Sequence, residues 1–186
     1  QDVESEGRSK SQARAASGTA PQLTRSQLTR MRLRILAVGP RQPAWVDQAV
    51  DEYRKRIRTP WRLELTVLEP ATRSGGADLA RVLEREGERV QAALRERERV
   101  VLLDERGKAY TTRELAQRLA QLSQDAPDLA LLIGGADGHA PAVRARAAES
   151  WSLGPLTMPH GLARVVLTEQ LYRAQSLLLG HPYHRD

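Results

Sequence analysis

The sequence predicts an α/β domain built on a mainly parallel sheet with helices on both faces. Two patterns carry that expectation. Stretches with strand texture alternate with stretches whose apolar residues recur at helical spacing, five strands in all, and strands joined through helices pair in parallel. Two strand stretches, VVLLD (Val100 to Asp104) and LALLI (Leu129 to Ile133), are short unbroken apolar runs, as expected of strands covered on both faces. The chain of 186 residues suits one domain with a sizeable core and is short for two.

Residues 1–30 are rich in Ser, Gln and Arg, hold few large apolar residues and show no periodicity, so they read as a disordered extension. At Met31 the texture changes, and residues 31–186 read as the domain, with Met31 as its natural start. MRLRILAVG alternates Met31, Leu33 and Ile35 against Arg32 and Arg34, a strand half exposed where it begins and buried where it ends. PAWVDQAVDEYRKRI then places Trp45, Val46, Ala49, Val50, Tyr53 and Ile57 on one helical face, with Pro43 in the first turn. RLELTVL follows as a strand with Leu63, Leu65 and Val67 inward. From Asp78, the residues Leu79, Val82, Leu83, Val90 and Leu94 recur at helical spacing. After VVLLD, Thr111 and Glu114 form a capping-box pattern that opens a helix through Leu115, Leu119 and Leu122. LALLI ends at Gly134-Gly135. A short helix through PAVRARAAES, the segment WSLGPLTMPH and a long amphipathic helix, GLARVVLTEQLYRAQSLLLG, complete the chain, with Gly180 placed to close that helix.

Composition excludes several classes of chemistry. Without cysteine there is no disulfide framework, thiolate nucleophile or zinc-thiolate centre. No apolar run is long enough to span a bilayer and no secretory signal is visible, which predicts a cytoplasmic protein with no membrane partner. The net charge of +6 favours anionic partners, yet the arginines are interleaved with acids, so charge alone leaves nucleic-acid binding and a solvated surface equally open. His181 and His184 are spaced i,i+3, but Pro182 breaks the helix that would align them and no acidic cluster completes a site, so no metal is expected. There is no G-x-S-x-G elbow.

In parallel α/β sheets, ligands sit outside the carboxyl ends of the strands, which directs attention to three loops. GGADG, Gly134 to Gly138, lets backbone N–H groups approach a ligand, although a tight turn has the same signature. It is not a dinucleotide fingerprint, because Ile133 stands where that pattern needs glycine. GPLTMPH, Gly154 to His160, is stiff where it bends and carries free backbone groups suited to a flat heterocycle. The third loop follows Asp104, with Arg106, Gly107 and Lys108. The last helix sets Glu169, Arg173 and Ser176 beside Leu162, Val165 and Val166, a strip that suits a solvated edge, a subunit interface or a substrate channel. The closing hexapeptide HPYHRD is unusually rich in titratable groups for a chain end.

VVLLDERGK, LLIGGADG, SWSLGPLTMPH, RVVLTEQLYRA, HPYHRD and the opening MRLRILAVG together resemble the bacterial large-subunit rRNA pseudouridine N3-methyltransferase family of the SPOUT superfamily. The resemblance spans Met31 to Asp186 and leaves out only the extension. It implies a SPOUT-type α/β fold with a C-terminal trefoil knot, a homodimer, and S-adenosylmethionine as cofactor. Carried over by motif position, the cofactor contacts are Leu103, Gly135 and the run Gly154, Pro155, Leu156, Thr157, Met158 and Pro159. The implied substrate is a pseudouridine in large-subunit rRNA, free or in the assembled ribosome, methylated on N3, with His160, Tyr183 and Arg185 against the RNA. His184 and Glu169 are the candidate bases, and Arg173 and Arg185 the candidates to stabilise an anionic imide. Two other readings stay open: a SPOUT methyltransferase acting on another RNA nucleotide, and a noncatalytic ribosome-associated module retaining the fold.

Overall fold

A computed structural model describes residues 28–73 and 78–184, with His184 described by its backbone. The extension before Leu28, Arg185 and the side chain of His184 lie outside the described residues. Strands β1 (Met31–Val38), β2 (Trp61–Leu68), β3 (Arg99–Ala109), β4 (Asp128–Ile133) and β5 (Glu149–Ser152) alternate with helices α1 (Ala44–Arg56), α2 (Leu79–Ala93), α3 (Thr112–Asp125), α4 (Pro141–Arg146) and α5 (His160–Leu178). A 3₁₀ turn, Pro182–His184, follows. The strands form one sheet in the order β2-β1-β4-β3-β5, parallel at every pairing.

The period of two along each strand divides the core into two layers. Leu33, Ile35 and Ala37 of β1 and Leu129, Leu131 and Ile133 of β4 face one way, toward α3 and α5. Leu36, Val38, Ala130 and Leu132 face the other way, toward Val90 of α2 and Val143 of α4. Leu28, three residues before β1, is buried in the first layer with Trp61. The first turn of α5 lies close on the segment leading into α1, and a Cβ at Gly161 would stand 2.6 Å from Gln42 Oε1.

Local signals describe the helix ends well. Asp78 accepts from Ala80 N–H at 3.0 Å, and Thr111 with Glu114 forms both halves of the capping box. Gly180, at φ +66°, ends α5 in a Schellman arrangement: its N–H donates to Leu177 O and that of His181 to Ser176 O.

Elsewhere the structure departs from the sequence reading. β3 does not stop at Asp104. It continues to Ala109, because Lys108 and Ala109 regain pairing with Trp151 and Ser152 of β5 after an irregularity that begins past Leu103. Gly107 allows this close approach, since a Cβ there would stand 2.6 Å from the Trp151 backbone. The helix through PAVRARAAES is shorter than its pattern, ending at Arg146, and residues 149–152 join the sheet as β5. Trp45 and Val67, expected inside, are 54% and 44% exposed: the first begins a helix whose buried stripe is Val46 and Val50, and the second lies on an edge strand. Leu79, also expected inside, is exposed at the start of α2. Arg34, expected outside, is buried. Its guanidinium pairs with buried Glu98 at 2.6 Å and donates to Ala93 O, tying β1 to the turn before β3.

Candidate active site

Because β4, β3 and β5 are neighbours in the sheet, the segments beyond them open at the same edge and enclose a cavity of about 780 Å³. Each segment builds one wall.

The β3 wall presents Leu103 and Asp104. Asp104 accepts Arg106 N–H at 2.9 Å and pairs with Arg144 Nη1 of α4 at 2.6 Å. The Arg106 N–H, and after it Arg144, hold its carboxyl below the ordinary carboxylate range against the opposing effect of burial.

The β4 wall is the GGADG turn, closed by the Gly138 N–H on Gly135 O at 2.9 Å. Gly138 takes φ +83°, and a Cβ on Gly134 would stand 2.6 Å from Gly138 O, so these glycines are required by the tight turn itself. His139 follows, buried, and its Nε2–H donates to Leu103 O at 3.0 Å. Burial lowers its pKa, the Leu103 carbonyl opposes that, and Arg144 adds to the lowering. Arg144 Nε also donates to His139 O, at 3.3 Å, so α4 braces two walls at once. On the rim, Asp137 pairs with Arg73.

The wall after β5 supplies Gly154, Leu156, Thr157, Met158 and His160. Ser152 Oγ accepts Gly154 N–H at 3.2 Å and donates to Gly154 O at 3.0 Å, fixing the start of the bend.

Buried polar groups without partners adjoin the β4 and β5 walls. Glu86 of α2 accepts Ala71 N–H through Oε1, while its Oε2 lies against Gly135 without a partner. His160 Nδ1 and the Nε and Nη2 of Arg164 are likewise buried and unpartnered. Burial, then the charge of Arg164, lowers the pKa of His160, and burial lowers that of Arg164.

Of the residues expected at the site, Leu103, Gly154, Leu156, Thr157, Met158 and His160 line the cavity. Gly135, Pro155 and Pro159 belong to the same bends without forming its lining; Gly135 faces Glu86 instead. Glu169, Arg173 and Tyr183 gather in a separate cluster. Glu169 accepts from Arg173 Nε at 2.9 Å, from Gln170 Nε2 at 2.7 Å and from the Tyr183 hydroxyl at 3.1 Å. Arg173 lies 4.9 Å over the Tyr183 ring, which meets Tyr172 at 4.6 Å. Burial, then a hydrogen bond with Tyr53 and the charge of Glu169, raises the Tyr183 pKa. Ser176 of the predicted polar strip is buried.

His139 and Arg144 were missed as site residues. The one available hint was position: His139 directly follows the glycine turn. Nothing local announces that Arg144 spans from α4 to the β3 wall.

A family model described as "Predicted SPOUT methyltransferase" matches residues 31–184. The chain is 47% identical over 155 residues to a protein named ribosomal RNA large subunit methyltransferase H from Chromohalobacter salexigens, covering 83% of this chain and 100% of that one. Proteins of the same name from Thioalkalivibrio sulfidiphilus and Burkholderia mallei are 49% and 48% identical. They cover 84% and 83% of this chain and 100% and 99% of their own lengths. A parallel sheet whose neighbouring strand ends enclose one cavity, a family match across residues 31–184 and this identity along whole relatives lead to one assignment: the chain belongs to the SPOUT methyltransferase family.

Proposed function

We propose that this protein methylates N3 of a pseudouridine in large-subunit ribosomal RNA, with S-adenosylmethionine as methyl donor, in the cytoplasm where ribosomes are found. The observation that carries the reading is the convergence of the segments after β3, β4 and β5 on one cavity. The relatives' shared name supports the RNA substrate, and the resemblance to the pseudouridine N3-methyltransferases supports the base and the atom.

The cavity's chemistry fits the donor's adenosine part. Leu103, Ile133, Leu156 and Met158 offer apolar surface to a flat ring, and the bare backbone of Gly154, where a Cβ would meet nothing within 4 Å, leaves its polar edges room. When bound there, that donor supplies an electrophilic methyl group on a sulfonium sulfur.

The chain's residues have two tasks. One is to present the base: holding two reactants in line accounts for roughly 7–11 kcal/mol of a barrier. The other is to remove the N3 proton, since an imide nitrogen is mostly protonated at neutral pH, and general-base help is worth ~10²–10⁴-fold. His184 is the proposed acceptor. Glu169 holds the tail in place through Tyr183, and Arg173 and Arg185 balance the charge that develops on the imide.

A homodimer completes this reading. The outer strip of α5 carries exposed Leu162 and half-buried Val165 and Val166, and exposed Trp45 lies on α1, the helix packed alongside. A second copy covering this strip would bring one tail toward the partner's cavity. Sedimentation tests it: Leu162→Asp should shift the wild-type dimer toward monomer, and a monomeric wild type would refute it.

The decisive assay is methyl transfer to purified large subunits and whole ribosomes, with and without the pseudouridine, followed by nucleoside mass spectrometry. N3-methylpseudouridine that appears only when the pseudouridine is present supports the reading. Product on another nucleotide replaces it with a related SPOUT activity. No cofactor binding at millimolar concentration favours a noncatalytic ribosome-associated module.

A further inference from the structure

We infer that His139 is a further cofactor-binding residue of this chain, its Nδ1 accepting a hydrogen bond from a donor on the adenosine part of the molecule held in the cavity. The inference rests on reading the cavity as the S-adenosylmethionine site, and it adds a residue that the family resemblance did not supply.

The ring's tautomer follows from its partner. Nε2 stands 3.0 Å from Leu103 O, and a carbonyl oxygen only accepts, so Nε2 carries the hydrogen. In the neutral ring Nδ1 then holds a lone pair. Neutrality is favoured because His139 is 7% exposed and Arg144 lies beside it, with the Asp104 carboxylate and the Leu103 carbonyl as the opposing influences. The residue lines the cavity. Its Nδ1 makes no hydrogen bond among the described residues, and because the residue lines the cavity the lone pair is available to a ligand there.

Two other acceptors on these walls already hold partners within the protein. Leu103 O takes the His139 hydrogen, and Asp104 is held by Arg106 N–H and Arg144. His139 Nδ1 is a side-chain acceptor on these walls without a partner among the described residues, and a ligand donor is read through it. Adenosine offers three donors: the 6-amino group, the 2′-hydroxyl and the 3′-hydroxyl.

The test is calorimetric and needs no turnover. S-adenosylhomocysteine and its 2′-deoxy, 3′-deoxy and N6,N6-dimethyl analogues are titrated into wild type, His139→Leu and His139→Gln. The leucine variant lacks both ring nitrogens, whereas glutamine keeps one donor and one acceptor. Wild type should lose roughly fivefold or more in affinity toward one analogue, the factor expected of one net hydrogen bond. His139→Leu should bind the parent compound weaker by a similar factor and lose nothing further with that analogue, while His139→Gln restores most of the discrimination.

An identical analogue pattern in wild type and His139→Leu would overturn the inference, whether or not overall affinity falls, because uniform weakening means that the side chain only supports Leu103. If His139→Leu does not fold, the glutamine variant still decides: its loss of all analogue discrimination alongside retained parent binding would refute an acceptor role that an amide reproduces. Failure of wild type to bind the parent compound at all would refute the cofactor site itself, a separate outcome.

Discussion

His139 and His160 both line the cavity, and burial lowers the pKa of each below the ordinary 6.5. The sign for stability follows: between pH 6.5 and their folded values, the unfolded chain takes up protons that the folded chain refuses. Stability should therefore be full above about pH 6.5 and decline as pH falls below it. Asp104, also held below its ordinary value, adds a second loss near the acid end, as pH falls through its folded value. Thermal melts across pH should show the first decline, and His139→Gln should reduce it; a Tm independent of pH between 5 and 7 would contradict this. Arg164 raises a different issue. It is 1% exposed with two nitrogens unpartnered, an arrangement that costs stability and persists when function requires it. Arg164→Met should raise Tm by about 2–4 °C, the shift that ~1 kcal/mol makes in a domain of this size, while reducing methyl transfer. A lowered Tm would show that the guanidinium is well satisfied in solution.

Helix ends and strand continuation obey different physics. The Thr111–Glu114 box satisfies the first turn of α3 with side chains three residues apart, so Thr111→Ala should cost about 1 kcal/mol and lower Tm by ~2–4 °C without changing cofactor affinity. An unchanged Tm would mean that water replaces the cap at no cost. The extra length of β3 has no such local origin. VVLLD reads as a strand that ends at an aspartate, and the residues after it are polar and glycine-containing, as a loop would be. They stay extended because β5 lies alongside, with Gly107 bare against the Trp151 backbone. The irregularity this leaves after Leu103 turns Asp104 into the cavity wall, where α4 secures it through Arg144.

The arrangement of strands makes one site out of distant segments. Residues near 104, 137 and 157 meet because β3 inserts between β4 and β5. The tail, by contrast, docks on α5 through Tyr183 and Glu169, away from the cavity lining. Its proposed part in catalysis thus depends on a second copy. Deleting His184 to Asp186 should cut methyl transfer by ~10²-fold or more while leaving S-adenosylmethionine affinity within about twofold, because the general-base contribution is lost and the cavity is untouched. Unchanged turnover would remove the tail from the reaction.

The elements were legible in the residues because their signals are short-ranged: alternation along β1, the apolar runs of β3 and β4, the cap at Thr111 and the stop at Gly180 each depend on neighbours a few positions away. The loops that hold Leu156, Thr157 and Met158 were legible for a related reason, since a bend's glycines and prolines dictate its own backbone, whereas the individual contact residues came from the family resemblance. The order of the strands, the burial of Arg34 against Glu98, and the bonds from His139 to Leu103 and from Arg144 to Asp104 were decided only by packing. Each joins residues tens of positions apart, and no local pattern encodes a partner that the chain meets only after the sheet has assembled.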